Sequence, residues 1–203
     1  MESKTALAWL KFIGTAIIVA FFAAVILLPN DPAVSSAQSP VLPEPTQPGL
    51  PIRLEIPSIK VNAAVLPVGL TSDGAMGVPE GPADTAWFDR GPRPGETGSA
   101  VIDGHFGWKD NIPAAFDNLN ELHPGDKIFV ENDRGETVTF VVRELRTLGE
   151  NGNAADVFTS SDGEAHLNLI TCEGVWNAAT KSYSERLVVF ADKESSTTAD
   201  ATQ

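Results

Sequence analysis

The sequence predicts a mainly β domain, an antiparallel β-barrel or sandwich, with one or two short helices. Short apolar stretches of strand length recur along the chain, and glycine and proline, at 17 and 15 residues, are abundant between them. These stretches do not alternate with helical ones, as they would in a protein built on a parallel sheet. The pattern occupies residues 52–191 of a 203-residue chain, so we expect a single domain.

The predicted strands follow the apolar residues in chain order. Alternating or continuous apolar patterns predict strands at residues 52–56, 62–68, 99–102, 127–131, 136–145, 165–171 and 185–191. The sequence NDRG at residues 132–135 is typical of a hairpin turn, so the two strands that flank it are expected to pair.

One stretch between these strands has the spacing of a helix. Ile112, Phe116 and Leu119 fall at i, i+4 and i+7, which puts them on one face of a helix. Asn111 is suited to cap its start, and the Pro-Gly pair at residues 124–125 is suited to end it. We therefore expect a short helix with these three apolar side chains toward the core.

Residues 1–28 are predicted to be a membrane anchor. The segment from residue 7 to residue 28 is almost purely apolar, and its 22 residues match the ~20 that a helix needs to cross a bilayer. Lys4 and Lys11 lie at its N-terminal end, which indicates a cytoplasmic N-terminus. The predicted location is the cell membrane, with a single pass and the rest of the chain outside the cytoplasm.

Cleavage of this segment is the alternative. Residues 35–37, Ser-Ser-Ala, resemble the small-residue site at which a signal peptide is cut. Signal-peptide cores are typically ~7–15 residues, and the longer apolar run here favours an anchor that is retained.

The segments on either side of the domain have compositions that do not form a core. Residues 29–51 are rich in proline and small polar residues, which predicts an extended stalk. Residues 192–203 contain no apolar side chain larger than alanine and are predicted to be a disordered tail.

The net charge of −13 argues against two classes of partner. Nucleic-acid binding depends on Lys and Arg side chains that neutralise phosphates, so no nucleic acid is expected. The same charge argues against electrostatic binding to an anionic membrane surface.

Cys172, in the sequence NLITCEG, is the only cysteine of the chain. In an exported protein, a cysteine without a partner indicates a reactive thiol. It follows the apolar stretch 165–171 directly, so a strand end is predicted, where a rigid support meets an accessible loop. A small buried apolar side chain and an intermolecular disulfide are the other interpretations.

A nucleophilic cysteine needs a basic or cationic neighbour, because a free thiol with a pKa of ~8.5 is mostly protonated at neutral pH. His166 lies on the same strand as Cys172 at a distance of about 20 Å, which is too far for contact. His123 lies in a turn sequence. His105, where the apolar stretch in GSAVIDGHFG ends, is the remaining candidate, and a surface histidine without a role is the alternative.

Arg186 is the candidate for stabilising negative charge. It opens the apolar stretch RLVVFA, where an arginine is costly unless it has a partner or a role. A fixed guanidinium can hold the charge that develops on a carbonyl oxygen under attack. Arg143 and Arg146 are weaker competitors, and a surface ion pair is the alternative role for Arg186.

These motifs resemble those of a known family. LITCEG is similar to the sortase sequence around the nucleophile, GSAVIDGHFG to the strand that leads to the sortase histidine, and SERLVVFA to the last strand with its arginine. The stretches DGAMGVPEGPADTAWF, GPRPGETGSAV and FDNLNELHPGDKIFV resemble class E and F sortases of Gram-positive bacteria, especially actinobacteria. The resemblance spans about residues 52–191, with its motifs in the family's order.

The resemblance implies a fold and a reaction. The fold is a closed sortase β-barrel of about eight strands. Cys172 is then the nucleophile, His105 the general acid and base, and Arg186 the transition-state stabiliser or substrate clamp. The reaction is cleavage of an LPXTG-like or LAXTG-like sorting signal after threonine through a thioester, followed by transfer to an amino group of a peptidoglycan precursor or a pilin.

One position departs from the family pattern. Asn168 stands where the family usually has threonine, four residues before Cys172, which is expected to affect the barrel or groove and not the chemistry. The segment between Glu173 and Ser184 lacks an acidic cluster, so neither a metal nor another cofactor is expected.

Two other functions remain compatible with the sequence. A hydrolytic cysteine peptidase would use the same three residues with water in place of the amine. A non-catalytic extracytoplasmic binding module would hold Cys172 as a structural residue. Product analysis with and without an amine separates the first alternative from a transpeptidase, and the rate of thiol labelling tests the second.

Overall fold

A computed structural model of the protein describes residues 47–149 and 152–195. It contains eight strands: β1 (Pro51–Ile56), β2 (Val61–Val68), β3 (Thr85–Phe88), β4 (Gly98–Gly104), β5 (Lys127–Asn132), β6 (Thr137–Gly149), β7 (Ala165–Asn177) and β8 (Ser182–Lys193). They form a closed barrel in the order β1-β2-β3-β4-β7-β8-β6-β5, and β5 pairs back to β1. The predicted closed, mainly β barrel is confirmed.

The barrel is not purely antiparallel. β2 pairs with β3, and β4 pairs with β7, in parallel. Parallel neighbours need a crossover of a dozen or more residues. Residues 69–84 provide it for the first pair, and the second connection contains the whole β5–β6 hairpin. Short apolar stretches in the sequence do not reveal strand direction, so the expectation of an antiparallel barrel was wrong at these two pairings.

Several strand boundaries also differ from the prediction. β3 was not predicted, because it has only four residues and no alternating pattern. β7 and β8 continue past the predicted ends and make most of residues 173–184 a hairpin instead of a loop. β1 begins at Pro51, within the predicted stalk, and β8 ends at Lys193, within the predicted tail.

The predicted helix around Phe116 is not formed. Pro113 disfavours helical geometry at Ile112, and Asp110 and Asn111 have left-handed backbones with φ of 61° and 57°. Phe116 and Leu119 are nevertheless fully buried. The helical segments are one four-residue α-helix, α1 (Ala155–Phe158), and three 3₁₀ turns, Pro57–Ile59, Lys109–Asn111 and Leu119–Glu121, within the described part of the chain.

The barrel has an apolar interior and a second apolar cluster outside it. Side chains from all the longer strands fill the interior, together with Phe116 and Leu119. The outer cluster consists of Val101, Val157, Val188 and Phe190. Its members come from the outward faces of β4 and β8 and from α1, so α1 packs on the outside of the barrel.

The predicted hairpin at residues 132–135 is present. The amide of Gly135 donates to the carbonyl of Asn132, and the amide of Asn132 donates to the carbonyl of Glu136. Gly135 has φ of 76°, which glycine adopts without strain.

The predicted anchor, residues 1–28, lies outside the described residues, as do most of the predicted stalk and all but the first residues of the predicted tail. In the described ranges, no helix has both the length and the apolarity to cross a membrane.

Candidate active site

Cys172 lies on the outer face of the barrel. Alternation along β7 points Leu167, Leu169 and Thr171 inward, so Cys172 points outward, partly buried. The strand continues past it to Asn177, so the predicted strand end at this position was wrong. A bulge follows between Glu173 and Trp176, close to the thiol.

His105 follows the last residue of β4 directly, as the sequence predicts. β4 and β7 run in parallel with Asp103 opposite Ile170, so the same register continued by two residues brings His105 level with Cys172. The Thr171 hydroxyl donates to the carbonyl oxygen of Gly104 at 2.7 Å and holds the two strands together at this point.

The turn after β4 fixes the backbone of His105. The amide of Phe116 donates to the His105 carbonyl oxygen at 3.0 Å. A Cβ atom at Gly104 would lie 2.5 Å from the Phe116 ring, so the absence of a side chain there allows this ring to pack against β4. The interior core thereby positions His105 beside Cys172.

The imidazole of His105 is oriented by two contacts. Its Nε2 lies 2.8 Å from the carbonyl oxygen of Pro79, which can only accept, so Nε2 donates the hydrogen bond. The ring packs on Trp108 with centroids 4.6 Å apart. In the neutral ring, Nδ1 then carries the lone pair that accepts a proton.

Arg186 is the Cα partner of Cys172 across β7 and β8. Its Nη1 donates to the carbonyl oxygens of Tyr183 and Glu185 at 2.9 and 2.8 Å. No carboxylate of residues 47–149 and 152–195 lies within 4.0 Å of its guanidinium, so the surface ion pair is not the arrangement found there. The guanidinium is held by backbone, and no described carboxylate compensates its charge by contact.

Asp103 is a member of the site that the sequence analysis missed. It lies on β4 two residues before His105 and lines the same cavity as Cys172 and Arg186. Burial raises the pKa of its carboxyl group to about 7, although the positive charge of Arg186 partly opposes that shift. A carboxyl group inside the apolar stretch AVID was the signal for it, since buried charges need a partner or a role.

The thiol of Cys172 is protonated in most molecules at neutral pH. Burial raises its pKa above the ordinary value, the charge of Arg186 opposes the rise, and the charge of Asp103 adds to it. The reactive thiolate is therefore a minor form in the free protein, and the charges of the two neighbours set its population.

An open cavity of about 1270 Å³ surrounds these groups. Cys172, His105, Arg186 and Asp103 lie along it, and apolar side chains form much of the remaining lining, among them Met76, Val78, Leu148, Val157, Phe158, Ile170 and Val188. A concave apolar surface with a few polar groups is the usual form of a ligand site.

The segment that carries α1 forms one wall of the cavity, and Asn168 helps to hold it. The Asn168 side-chain amide, fully buried, donates to the carbonyl oxygen of Val157 at 2.6 Å. Arg146 pairs with Asp156 at 2.6 Å. Asn168 therefore contacts the wall of the groove, and its lack of effect on the chemistry stays a prediction.

The far end of the β7–β8 hairpin carries exposed aromatic residues beside the cavity. Tyr183 packs edge-on against Trp176 and Phe106, with ring centroids 5.1 and 5.7 Å apart. Trp176 keeps half of its surface exposed. Beneath them, the amide of Val175 donates to the Ser184 hydroxyl at 3.0 Å and ties the two strands together.

The three residues predicted from the sequence thus line one cavity, with a thiol, an imidazole and a guanidinium in reach of a common ligand. These are the groups that acyl transfer through a covalent intermediate requires. Among the residues that the structure describes, no group of three or more His, Cys, Asp or Glu side chains has a geometry suited to a metal ion.

Comparisons with known proteins agree with this fold. A protein-family model described as Sortase domain matches residues 54–194. A comparison with curated proteins gave no significant match.

Three solved structures illustrate the likeness. Sortase C-1 from Actinomyces oris is 23% identical with a TM-score of 0.53, covering 71% of this chain and 73% of its own. The lid mutant of sortase A from Corynebacterium diphtheriae is 22% identical with a TM-score of 0.56, covering 78% and 77%. Sortase C1 from Streptococcus agalactiae is 20% identical with a TM-score of 0.56, covering 71% and 67%. At these identities the likeness concerns the fold.

Proposed function

This chain belongs to the sortase family, and we propose that it is a cysteine transpeptidase acting on an LPXTG-like or LAXTG-like sorting signal. It cleaves the signal after threonine through a thioester on Cys172 and transfers the protein to an amino group of a cell-wall precursor. The assignment to sortase classes E and F is part of the same proposal, as are the roles of Cys172, His105 and Arg186.

The pairing of Cys172 with Arg186 is the observation that carries this proposal. Directly opposed residues on paired strands point to the same face with Cβ atoms about 4.5–5.5 Å apart. A substrate carbonyl at the sulfur therefore has its oxygen close to the guanidinium. Nη1 is used by backbone carbonyls, so the other guanidinium nitrogens are available for that oxygen.

The first half-reaction forms the thioester. Neutral His105 first takes the proton of the Cys172 thiol. The resulting thiolate attacks the carbonyl carbon of the threonine, and Arg186 stabilises the negative charge that develops on the oxygen. The C–N bond then breaks, and the imidazolium of His105 gives a proton to the leaving amine. Trp108 and the Pro79 carbonyl keep the ring in position for this transfer.

The second half-reaction releases the product. An amine attacks the thioester carbonyl, neutral His105 accepts a proton from the attacking nitrogen, and the C–S bond breaks. Two acyl transfers with lower barriers replace one difficult step, which is the advantage of a covalent intermediate.

The apolar part of the cavity suits the apolar residues of such a signal. Val157, Ile170 and Val188 lie beside the thiol on the outer face of the barrel. The leucine side chain of the signal can pack there, as can the ring of a proline or the methyl group of an alanine. The polar residues of the signal then face solvent. The relative rates with LPXTG and LAXTG peptides distinguish proline from alanine at this position.

The remaining elements of the proposal concern location and partners. Residues 1–28 anchor the chain in the cell membrane, residues 29–51 act as a stalk, and the domain of residues 52–191 works outside the cytoplasm. Its partners are secreted proteins with a C-terminal sorting signal and an amine from a peptidoglycan precursor or a pilin. Neither nucleic acid nor a cofactor takes part.

The test uses the purified full-length chain in detergent with quenched LPXTG and LAXTG peptides and excess amine. The proposal expects a ligated product that depends on the amine and disappears in Cys172→Ala, and the relative rates identify the preferred signal. Cleavage without ligation would instead support a hydrolytic peptidase. The absence of both, together with slow labelling of Cys172 by iodoacetamide, would support a binding module.

A further inference from the structure

Asp103 is the only carboxyl group on the active-site cavity among the described residues. The other charged side chains on the cavity are cationic: Lys109 after β4, Lys181 in the turn between β7 and β8, and Arg186 on β8. His105, Cys172 and Tyr183 complete the titratable groups that line it. A cation that enters this cavity therefore has one anionic side chain to bind.

The carboxylate of Asp103 has no partner among the described residues. No hydrogen-bond donor of residues 47–149 and 152–195 contacts it, and no cation of these residues lies within 4.0 Å. Arg186 acts on it only at longer range. A partly buried carboxyl group has lost solvation that no described residue replaces, and we take its hydrogen-bonding capacity to be available to a ligand.

The strand register places this group beside the reacting sulfur. Asp103 is the Cα partner of Ile170, and Cys172 lies two residues further along β7 on the same face. Strand spacing and rise put the two Cα atoms about 8 Å apart. A small polar group of a ligand fits between the two side chains, and the carboxylate charge also acts on the thiol.

The second half-reaction has a requirement that this placement meets. A primary amine of lysine type has a pKa of ~10.4, so on the order of one molecule in a thousand is unprotonated at neutral pH. An ammonium ion has no lone pair and cannot attack a thioester. The acceptor must therefore lose a proton before it attacks, and the cationic side chains of the cavity repel its ammonium form.

We infer that Asp103 binds the ammonium group of the acyl acceptor and takes its first proton before attack on the thioester. This inference rests on the proposed function. It gives the site a fourth catalytic residue, used in the second half-reaction and not in the first.

The protons and bonds of this step balance. The Asp103 carboxylate takes one proton from the ammonium ion and becomes neutral, which leaves a free amine. The amine nitrogen forms a bond to the thioester carbon while the C–S bond breaks. The second proton of the nitrogen passes to His105 and from there to the departing sulfur of Cys172, and Asp103 later returns its proton to solvent.

The acidity of Asp103 suits this role. Burial raises its pKa to about 7, so it is a stronger base than an ordinary carboxylate and still ionised in a large fraction of molecules at neutral pH. A general base works best when its pKa lies near the operating pH.

Two acceptor amines of different charge test the inference with the full-length chain at pH 7. Nα-acetyl-lysine amide is almost wholly an ammonium ion at this pH, whereas hydroxylamine is mainly uncharged and needs no prior deprotonation. The measured quantity is the partition of the thioester between aminolysis and hydrolysis. That ratio does not depend on how much of a variant is folded.

For Asp103→Asn, we expect the partition toward Nα-acetyl-lysine amide to fall at least about tenfold and that toward hydroxylamine to stay within about twofold. Asp103→Glu, which keeps the carboxylate, is expected to recover part of the reaction with the lysine amide. Asp89→Asn is the matched control, since it removes the same charge from a residue that pairs with Arg90 away from the cavity.

An equal loss with both amines, or no loss with either, would overturn the inference. Thioester formation in the absence of amine reports on the proposed function separately. Asp89→Asn, which lies away from the cavity, is expected to form the thioester at the wild-type rate. A wild-type chain that forms no thioester refutes the proposed function itself.

Discussion

Cys172 on β7 and Arg186 on β8 are directly opposed in an antiparallel pairing on the outer face of the barrel. Their proximity is set by strand register and not by a loop. A slip by one residue would turn one of the two side chains into the barrel interior, so the hydrophobic core that fixes the register also fixes the site.

Substitution of Arg186 tests its role in the transition state. Arg186→Gln is expected to lower kcat by about 10²–10³-fold, the usual cost of losing one stabilising donor to a developing oxyanion. Arg186→Lys keeps the charge but loses the planar fork, and we expect an intermediate rate. Kinetics with the sorting peptide measure both. Equal, small losses in the two variants would argue for a role in folding only, which thermal unfolding would reveal.

The acidity of the Cys172 thiol is expected to shift in opposite directions in two variants. Asp103→Asn removes a negative charge that raises the thiol pKa and is expected to lower it, whereas Arg186→Gln removes the opposing positive charge and is expected to raise it further. The rate of alkylation by iodoacetamide as a function of pH gives the thiol pKa without any substrate. Shifts of the same sign in both variants would contradict the electrostatic account.

Asn168 is expected to matter for substrate affinity more than for the chemical step. Asn168→Ala leaves the Val157 carbonyl without its buried donor, which costs about 1–3 kcal/mol of folding free energy and loosens the cavity wall. We expect KM for the sorting peptide to rise several-fold while kcat changes less. Urea unfolding and steady-state kinetics measure the two effects, and Asn168→Thr tests the residue usual in the family. A loss confined to kcat would place Asn168 in the chemistry instead.

His166 is expected to make stability depend on pH. It lies between Asp162 and Asp192, with ring nitrogens 2.9 and 2.7 Å from their oxygens, and Arg143 also pairs with Asp192. Although burial lowers the pKa of His166, its hydrogen bonds to the two aspartates raise it more, so the net shift is upward. Its stabilising contribution is present below the unfolded pKa and is lost as pH rises through the folded pKa.

The carboxylate of Asp162, which is bonded to His166, sets the lowest pH at which this stabilisation persists. Backbone and side-chain hydrogen bonds lower the pKa of Asp162, so its contribution is lost only as the pH falls through that lowered value. Between pH 6 and pH 8.5, the urea midpoint of the wild type is expected to fall more than that of His166→Gln. If the urea midpoints of the two proteins changed with pH in parallel, the charge of His166 would not stabilise the fold.

The sequence indicated the candidate residues of the site but not the geometry that brings them together. Cys172 and Arg186 were identified because a lone thiol and an arginine in apolar strands are chemically unusual. Their pairing depends on which strands become neighbours, and the parallel alignment of β4 with β7 depends on a connection of sixty residues, from 105 to 164, that local patterns do not describe. Asp103 was missed for the same reason, because its importance lies in its neighbours.

Local patterns also failed where tertiary packing overrides them. The spacing of Ile112, Phe116 and Leu119 indicated a helix, but Pro113 and left-handed backbones in the preceding turn exclude one. Phe116 and Leu119 still reach the core, since burial needs only that the chain present them there. β3 has four residues and relies on β2 and β4 for its hydrogen bonds, so its own sequence carries little signal.

Catalysis through a thioester on Cys172 is tested directly by intact mass. The full-length chain is mixed briefly with an LPXTG peptide in the absence of amine, and its mass is measured. We expect an adduct on Cys172 with the mass of the peptide through its threonine. This adduct should be released by hydroxylamine, as a thioester is, and should not form in Cys172→Ala. A wild-type chain that cleaves the peptide without any such adduct, or an adduct that persists in Cys172→Ala, would contradict catalysis through a Cys172 thioester.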